Sequence, residues 1–265
     1  MTARGSLALV GAFTAFWVVA LPLDRFTDAT TQPLLGLVAS IFLAAALWRQ
    51  TPEVRVQVSV LVVVATSLEI LGSIVWGAYT YRLQNLPLFV PAGHGLFYLA
   101  ALHAASLPWL VGQRRVIILA TGALATAYML WGLTRPLLDP AQSVPDLLGF
   151  VTWAIFLRFL VRGRYPLLYA VSFAMTTALE LYGTGLGTWT WSALLPGLWL
   201  PAGNPPTGIG AGYCAMDALT RRIVATMRRR GSGSGRHPVM QDTDPFPWSS
   251  STLASTGAGR RPAAD

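Results

Sequence analysis

Long apolar runs separated by short polar segments dominate the chain up to about residue 222. A membrane-spanning helix needs about 20 apolar residues, because at 1.5 Å per residue it must cross about 30 Å of hydrocarbon. The first run has features of a secretory signal peptide, but its apolar part is long and no small-residue cleavage site precedes Asp24. The pattern therefore predicts an all-α, polytopic transmembrane helical bundle with eight spans, near residues 6–23, 31–48, 56–77, 91–110, 116–133, 146–161, 167–187 and 204–222.

Composition narrows the class of protein further. Of the 265 residues, 54% are hydrophobic and 11% are charged. A soluble domain carries about 25% charged residues, because water must wet its surface, so a water-soluble enzyme is excluded. All 19 basic residues are arginines at the ends of apolar runs and in the tail, which argues against a nucleic-acid partner despite the net charge of +8. The single cysteine, Cys214, excludes an intramolecular disulfide bond.

The distribution of arginine predicts how the chain crosses the membrane. With the N-terminus in the cytoplasm, 12 arginines fall in inner segments, and only Arg25, Arg82 and Arg135 fall in outer loops. Loops rich in Lys and Arg stay on the cytoplasmic side. We therefore expect a multi-pass protein of the inner (plasma) membrane with both termini in the cytoplasm.

The composition changes from about residue 228. Residues 228–265 are rich in Gly, Ser and Pro and show no helical period. Such a segment has too little apolar surface to offset the entropy lost on ordering. We predict a disordered cytoplasmic tail.

Two parts of the chain match each other at an almost constant spacing. Two of the matched pieces are offset by 110 residues and the third by 111. The pieces are GAYTY (77–81) with GTWTW (187–191), PAGH (91–94) with PAGN (201–204), and SLEILG (67–72) with ALELYG (178–183). The match predicts two four-span repeats, residues 1–115 and 116–227. Each repeat starts on the inner side, so the two are parallel and related by an axis along the membrane normal, with the matched pieces around one cavity.

Among the ionisable residues inside the predicted spans, Glu69 and Glu180 lie at matching positions of the two repeats. An ionisable group in a span is costly and by default functional. Each Glu precedes the glycine of the next outer loop by one to two turns, which places it roughly 10 Å below the outer surface. Apolar surroundings favour the neutral carboxyl group, which is able to donate a proton. The alternative is that each Glu only holds helices together by hydrogen bonds, and the sequence leaves open whether the two share one site.

Other polar and aromatic residues are predicted to shape the same cavity. His94 and His103 are nine residues apart, on opposite faces of a helix, which makes them poor joint ligands, and no metal site is expected. Asp217, four residues before Arg221, is placed to form an ion pair along one helix. We predict His94, His103, Asn204 and Tyr213 as groups that position substrate or water, and Tyr79, Tyr81, Trp189 and Trp191 as the apolar wall. Aromatic faces are able to stabilise a developing carbocation.

The region around Glu69 resembles the carotenoid hydratases (the bisanhydrobacterioruberin hydratase-like family). It departs from that family's motif in lacking a Phe-Gly pair before the first tyrosine and in the spacing of the Glu. The resemblance implies addition of water across a terminal isoprenoid double bond, with Glu69 as the proton donor. The layout is also similar to that of small integral-membrane terpene cyclases. The residues that carry the resemblance are Glu69, Gly72, Gly77, Tyr79, Tyr81 and Pro91.

These observations favour an enzyme that hydrates or cyclises an isoprenoid or carotenoid-type lipid by acid catalysis within the bilayer. Protonation chemistry of this kind needs no cofactor. Two alternatives come from other classes of protein. A transporter or lipid-binding protein would use the paired acids for proton coupling, and a structural subunit would use the motifs for assembly.

Overall fold

The structure, a computed structural model, describes residues 2–138 and 144–231, which form nine α-helices and one two-stranded β-ribbon. The prediction of a helical protein is confirmed. A π-helical turn, Ile70–Val75, continues α3, and the ribbon consists of β1 (Tyr79–Tyr81) and β2 (Trp189–Trp191). The helices are α1 (Ala3–Asp24), α2 (Gln32–Trp48), α3 (Pro52–Glu69), α4 (Phe89–Ala105), α5 (Pro108–Gly112), α6 (Arg114–Leu138), α7 (Leu147–Arg162), α8 (Pro166–Leu186) and α9 (Ala211–Gly231).

Three stretches of helix are long and apolar enough to cross a membrane: Ala3–Asp24, Pro52–Val75 and Arg114–Leu137. Large apolar side chains on the outside of the bundle are exposed, among them Val63 at 66% and Leu124 at 70%. A soluble monomer rarely exposes apolar surface on this scale. Helix length and surface together indicate a membrane protein.

Helix α4 is the central helix of the bundle. All of its residues are buried except Pro91 and His94, and it packs against α1, α2, α3 and α8. A helix that is apolar on every side is buried by its neighbours. The partial exposure of His94 therefore marks a place where this packing is interrupted.

Several predicted spans differ from the observed helices in where they begin or end. The fourth span divides into α4 and α5, because Pro108 starts a new helix at its first turn. The third span ends at Val75 in a π-helical turn instead of at residue 77. Helix α9 begins at Ala211, later than the predicted 204, because Pro205 and Pro206 have no N–H groups to donate within a helix. It continues to Gly231, so residues 228–231 of the predicted tail are helical, and residues 232–265 lie outside the described residues.

Four helices enclose the centre of the bundle. Helices α3 and α8 each pack against both α4 and α9. Strand β1 follows α3 and strand β2 follows α8, and the two strands pair antiparallel in the register Tyr79–Trp191, Thr80–Thr190 and Tyr81–Trp189. We call the end of the bundle where the strands pair the ribbon end. The ribbon thus joins the two segments that match each other in sequence.

Candidate functional site

A cavity of about 240 Å³ lies between α3, α4, α8 and α9, next to the ribbon. Glu69 and Glu180 both line it, so the two acids share one site. Most of the wall is apolar, including Trp17, Leu68 and Met216. The lining side chains that carry polar groups are Glu69, Tyr79, Tyr81, His94, Thr176, Glu180, Trp189, Trp191 and Tyr213.

Both carboxyl oxygens of Glu69 are hydrogen-bonded. The phenol groups of Tyr79 and Tyr81 donate to Oε2 at 2.7 Å and 2.8 Å. Nε2 of His94 lies 2.9 Å from Oε1. The predicted wall residues Tyr79 and Tyr81 therefore bind the acid directly as well as lining the cavity.

Glu180 is held by the other strand in the same way but with different donors. The indole N–H groups of Trp189 and Trp191 donate to Oε2 at 2.8 Å and 3.1 Å. Within the described residues, Oε1 has no hydrogen-bond partner. Each Glu is thus bound by the two aromatic residues of the strand that follows its own helix.

The ribbon also packs the two aromatic pairs against each other. The rings of Tyr79 and Trp191 are 4.6 Å apart between centroids, and those of Tyr81 and Trp189 are 6.2 Å apart. Contact at these distances between tilted or edge-to-face rings is favourable. Ring packing between the two strands therefore helps to fix the aromatic side chains that donate hydrogen bonds to Glu69 and to Glu180.

The π-helical turn explains why the matched segments differ by one residue in spacing. Glu69 and Tyr79 are 10 residues apart, whereas Glu180 and Trp189 are 9 apart. One extra residue in an α-helix rotates everything after it by about 100°. The π turn Ile70–Val75 absorbs that residue, with Trp76 donating to the carbonyl of Leu71. Both acids consequently reach the aromatic residues of their strands.

Two matched pairs of glycines shape the site. Gly77 and Gly187 each have φ of +72°, in the left-handed region that favours glycine, and each precedes a ribbon strand. Gly72 and Gly183 lie against the rings of Tyr79 and Trp189, where an added Cβ would be in tight contact with the Tyr79 ring and would overlap the Trp189 ring. Glycine at these positions therefore permits the turns into the strands and leaves room for the aromatic rings.

His94 links Glu69 to Tyr213. The hydroxyl group of Tyr213 lies 2.6 Å from Nδ1 of His94, so that Glu69, His94 and Tyr213 form one hydrogen-bonded chain along the cavity. The ring of Tyr213 packs on Phe97 with 4.0 Å between centroids. Two residues that sequence analysis placed in separate halves therefore act on the same acid.

Two predicted site residues do not line the cavity. His103 lies near the opposite end of α4, where its ring nitrogens contact Ser6 Oγ at 3.0 Å and Gln50 Oε1 at 3.1 Å. Asn204 accepts the backbone N–H of Trp191 at 3.0 Å and so holds strand β2 instead of a ligand. Asn204 precedes α9, whereas its sequence match His94 lies inside α4, and this difference separates the two side chains.

Two buried aspartates that sequence analysis did not select anchor the loops at the ribbon end. Asp146 accepts the backbone N–H groups of Gly149, Gly203 and Thr207 at 2.7–2.9 Å, together with the Thr207 hydroxyl group at 2.9 Å. It is the N-cap of α7, and an Asp directly before an apolar helical run is a signal for that role.

The second aspartate, Asp24, binds Gln32 and Arg82 in the first half of the chain. No pattern in the sequence indicates that pairing.

A second polar cluster lies one helical turn farther from the ribbon. The Tyr98 hydroxyl group donates to Asp217, and Gln57 donates to that hydroxyl group. Arg221 donates to both carboxylate oxygens of Asp217 at 2.8 Å and 3.0 Å, which confirms the predicted pair. Tyr98 and Asp217 follow His94 and Tyr213 by four residues on α4 and α9, so the cluster lies directly below the cavity.

Searches with protein-family models, curated proteins and solved structures find no match to this chain. The resemblance of residues 69–91 to carotenoid hydratases therefore stays a prediction. In residues 2–138 and 144–231, no three His, Cys, Asp or Glu side chains form a group able to hold a metal ion. The site that the geometry defines is a pair of carboxyl groups in an apolar, aromatic cavity.

Proposed function

We propose that this protein is an integral membrane enzyme that hydrates or cyclises an isoprenoid or carotenoid-type lipid by acid catalysis. The observation that carries the proposal is that Glu69 and Glu180 line one largely apolar cavity. An acid in apolar surroundings is able to protonate a terminal alkene, and the faces of nearby aromatic rings stabilise the resulting carbocation. The resemblance to carotenoid hydratases and membrane terpene cyclases points to the same substrates.

The proposed architecture has eight spans, formed by α1, α2, α3, α4, α6, α7, α8 and α9. They form two parallel four-span repeats of the inner (plasma) membrane, with both termini in the cytoplasm. The register of the ribbon supports this arrangement, because exchanging each residue for its partner 110 positions away turns the pair Tyr79–Trp191 into Trp189–Tyr81. Thr80 and Thr190 then lie on the axis that relates the repeats. The cavity is in the outer half of the bilayer, on the side where few arginines lie.

The volume of the cavity limits which part of a substrate enters. An apolar cavity of about 150 Å³ holds one benzene molecule, so about 240 Å³ accommodates on the order of ten carbon atoms, or two isoprene units. A long isoprenoid therefore places only its end beside the acids. Leu68 lines the cavity and is 46% exposed, and in the proposed mode of binding the rest of the molecule extends past it into the bilayer.

Lipid analysis of the host tests the proposal. Lipids are extracted from strains carrying the wild type, a deletion, Glu69→Gln or Glu180→Gln, and are compared by mass spectrometry. The deletion and at least one Gln variant are expected to accumulate a precursor, lighter than the missing product by one water for hydration or isomeric with it for cyclisation. Glu53→Gln is the matched control, because Glu53 is exposed at the start of α3, away from the cavity.

An unchanged lipid profile would remove the enzyme proposal if the variant proteins remain folded and abundant. That outcome leaves a carrier or lipid-binding protein as the alternative. A proton-coupled carrier needs a polar route to both faces of the membrane, and the buried Asp217 cluster would have to form its inner part. A lower yield of an assembled complex, with no change in lipids, would instead indicate a structural subunit.

A further inference from the structure

We infer that the two glutamates have different roles, with Glu180 giving the proton to the substrate and the chain Tyr213–His94–Glu69 receiving one. This inference rests on the proposed function. It reverses the assignment implied by the family resemblance, in which Glu69 is the donor. The hydrogen-bond partners of each carboxyl group carry the argument.

The donors to Glu180 fix where its proton is carried. An indole N–H only donates hydrogen bonds, so Oε2, which accepts from both Trp189 and Trp191, is occupied as an acceptor. In the neutral acid the proton must then be on Oε1. Because Oε1 has no partner in the described part of the chain, that proton is available to a substrate in the cavity.

The donors to Glu69 fix the opposite state. Two phenol groups donate to Oε2 and an imidazole nitrogen lies against Oε1, so every polar partner of Glu69 is a group able to donate to it. Charge-assisted hydrogen bonds of this kind stabilise a carboxylate. Glu69 is therefore the anionic member of the pair, and His94 donates Nε2–H to it.

The same reasoning sets the direction of the hydrogen bond between His94 and Tyr213. Since Nε2 carries the hydrogen, Nδ1 is an acceptor, and the Tyr213 hydroxyl group donates to it. Tyr213 lines the cavity, so its oxygen is able to accept a proton from water while its own proton moves to Nδ1. The imidazolium that forms lies 2.9 Å from the Glu69 carboxylate, which stabilises it and keeps the ring oriented.

The hydration step balances with these groups alone. The alkene electron pair takes the proton from Glu180 Oε1 and forms a C–H bond, which leaves a tertiary carbocation. A water oxygen forms the C–O bond, and the proton it loses passes through Tyr213 to His94. For cyclisation the same relay removes a C–H proton as the final double bond forms. Return of the proton from His94 to Glu180 through water resets the site, with no net consumption of protons.

Deuterium labelling distinguishes the two roles. Purified protein is mixed in D₂O with membranes of the deletion strain, which contain the accumulated precursor. We expect Glu180→Gln to lower product formation by about 10²–10⁴-fold, the usual contribution of a general acid, and to leave the recovered precursor unlabelled. Glu69→Gln, His94→Gln and Tyr213→Phe should also lower product, but the recovered precursor should gain deuterium, because protonation still occurs and reverses.

The controls separate folding from chemistry. Glu53→Gln should match the wild type, and Glu180→Asp, which keeps a proton donor, should restore labelling even where turnover is low. A structural role of Glu69 would not produce deuterium in the precursor. Labelling in Glu180→Gln and none in Glu69→Gln would overturn the assignment while leaving the proposed function intact. If the wild type itself forms no labelled product, the proposed function fails, and the assignment of roles fails with it.

Discussion

The two halves of the site have the same geometry and different chemistry. In each half a Glu near the end of a helix is bound through Oε2 by the two aromatic residues of the next strand. The donors are phenols around Glu69 and indoles around Glu180. His94 also contacts Oε1 of Glu69, whereas Oε1 of Glu180 has no partner within residues 2–138 and 144–231, so the two acids differ in which oxygen is open to the cavity. Two glutamates at matching positions of a repeat are thus able to have different roles within one cavity.

The halves also differ in how each helix reaches its strand. Gly72 and Gly77 are five residues apart, and their matches Gly183 and Gly187 are four apart. The extra residue of the first half is absorbed by the π turn, whereas α8 continues as a regular helix to Leu186. The length of each linker therefore determines whether its Glu meets its donors.

The largest difference between the two halves is expected when one residue is deleted from each linker. Deletion of Gly185 from α8 rotates strand β2 by about 100° relative to Glu180, so both indole donors are lost, and we expect activity to fall to background with a lower folded yield. Deletion of Ile74 gives the first half the spacing of the second and relaxes the π turn to α-helix. That variant should fold and keep most of its activity.

Both deleted residues are exposed, so neither deletion removes core packing. The measurements are folded yield by size-exclusion chromatography and product formation by mass spectrometry of lipids. Equal loss of activity in the two deletions would contradict this expectation. It would show that the site needs the π turn even when the first linker has the same length as the second.

The sequence was sufficient to predict the helical class, the two acids and their aromatic neighbours. The lengths of the apolar runs located a helix at each predicted span, and the internal match predicted that the matched pieces surround one cavity. The sequence did not reveal that Tyr79 and Tyr81 bind Glu69. Tyrosine is common at membrane interfaces in any membrane protein, so its position there does not indicate a hydrogen bond to an acid.

Local structure caused the remaining errors. The sequence predicts His103 in the cavity as a polar group within the fourth predicted span, but it lies beside Ser6 at the other end of the bundle from the ribbon. Asn204 was selected as the match of His94, but Pro205 and Pro206 delay α9, so Asn204 lies in a loop instead of a helix. A match in sequence preserves a position only where the backbone on both sides adopts the same structure.

A smaller effect is expected from adding one methyl group to each matched glycine. In Gly183→Ala the new carbon would overlap the Trp189 ring, which must move and weaken its bond to Glu180. Overpacking of this kind costs about 1–3 kcal/mol. In Gly72→Ala the new carbon would lie 3.0 Å from a ring carbon of Tyr79, and the gain of about 1 kcal/mol from replacing Gly in a helix offsets most of the strain.

Unfolding in mixed detergents measures both free energies, and product formation measures the effect on the site. Gly183→Ala should be less stable and less active than Gly72→Ala. The opposite order would mean that the indole pair tolerates displacement better than the phenol pair, which would contradict the close packing of the Glu180 half.

The smallest effect is expected on the axis of the ribbon. Thr80 and Thr190 pair at its centre and are both exposed, on the face away from the aromatic residues. Loss of a cross-strand side-chain contact costs about 0.2–1 kcal/mol, so Thr80→Ala and Thr190→Ala should each lower stability slightly and leave product formation unchanged. Because each variant removes the same contact between Thr80 and Thr190, the two should agree in free energy of unfolding to within about 1 kcal/mol, the upper range for such a contact. A larger difference would show that the two halves are unequal in the backbone of the ribbon itself, and would place the asymmetry in the fold as well as in the donors to the two acids.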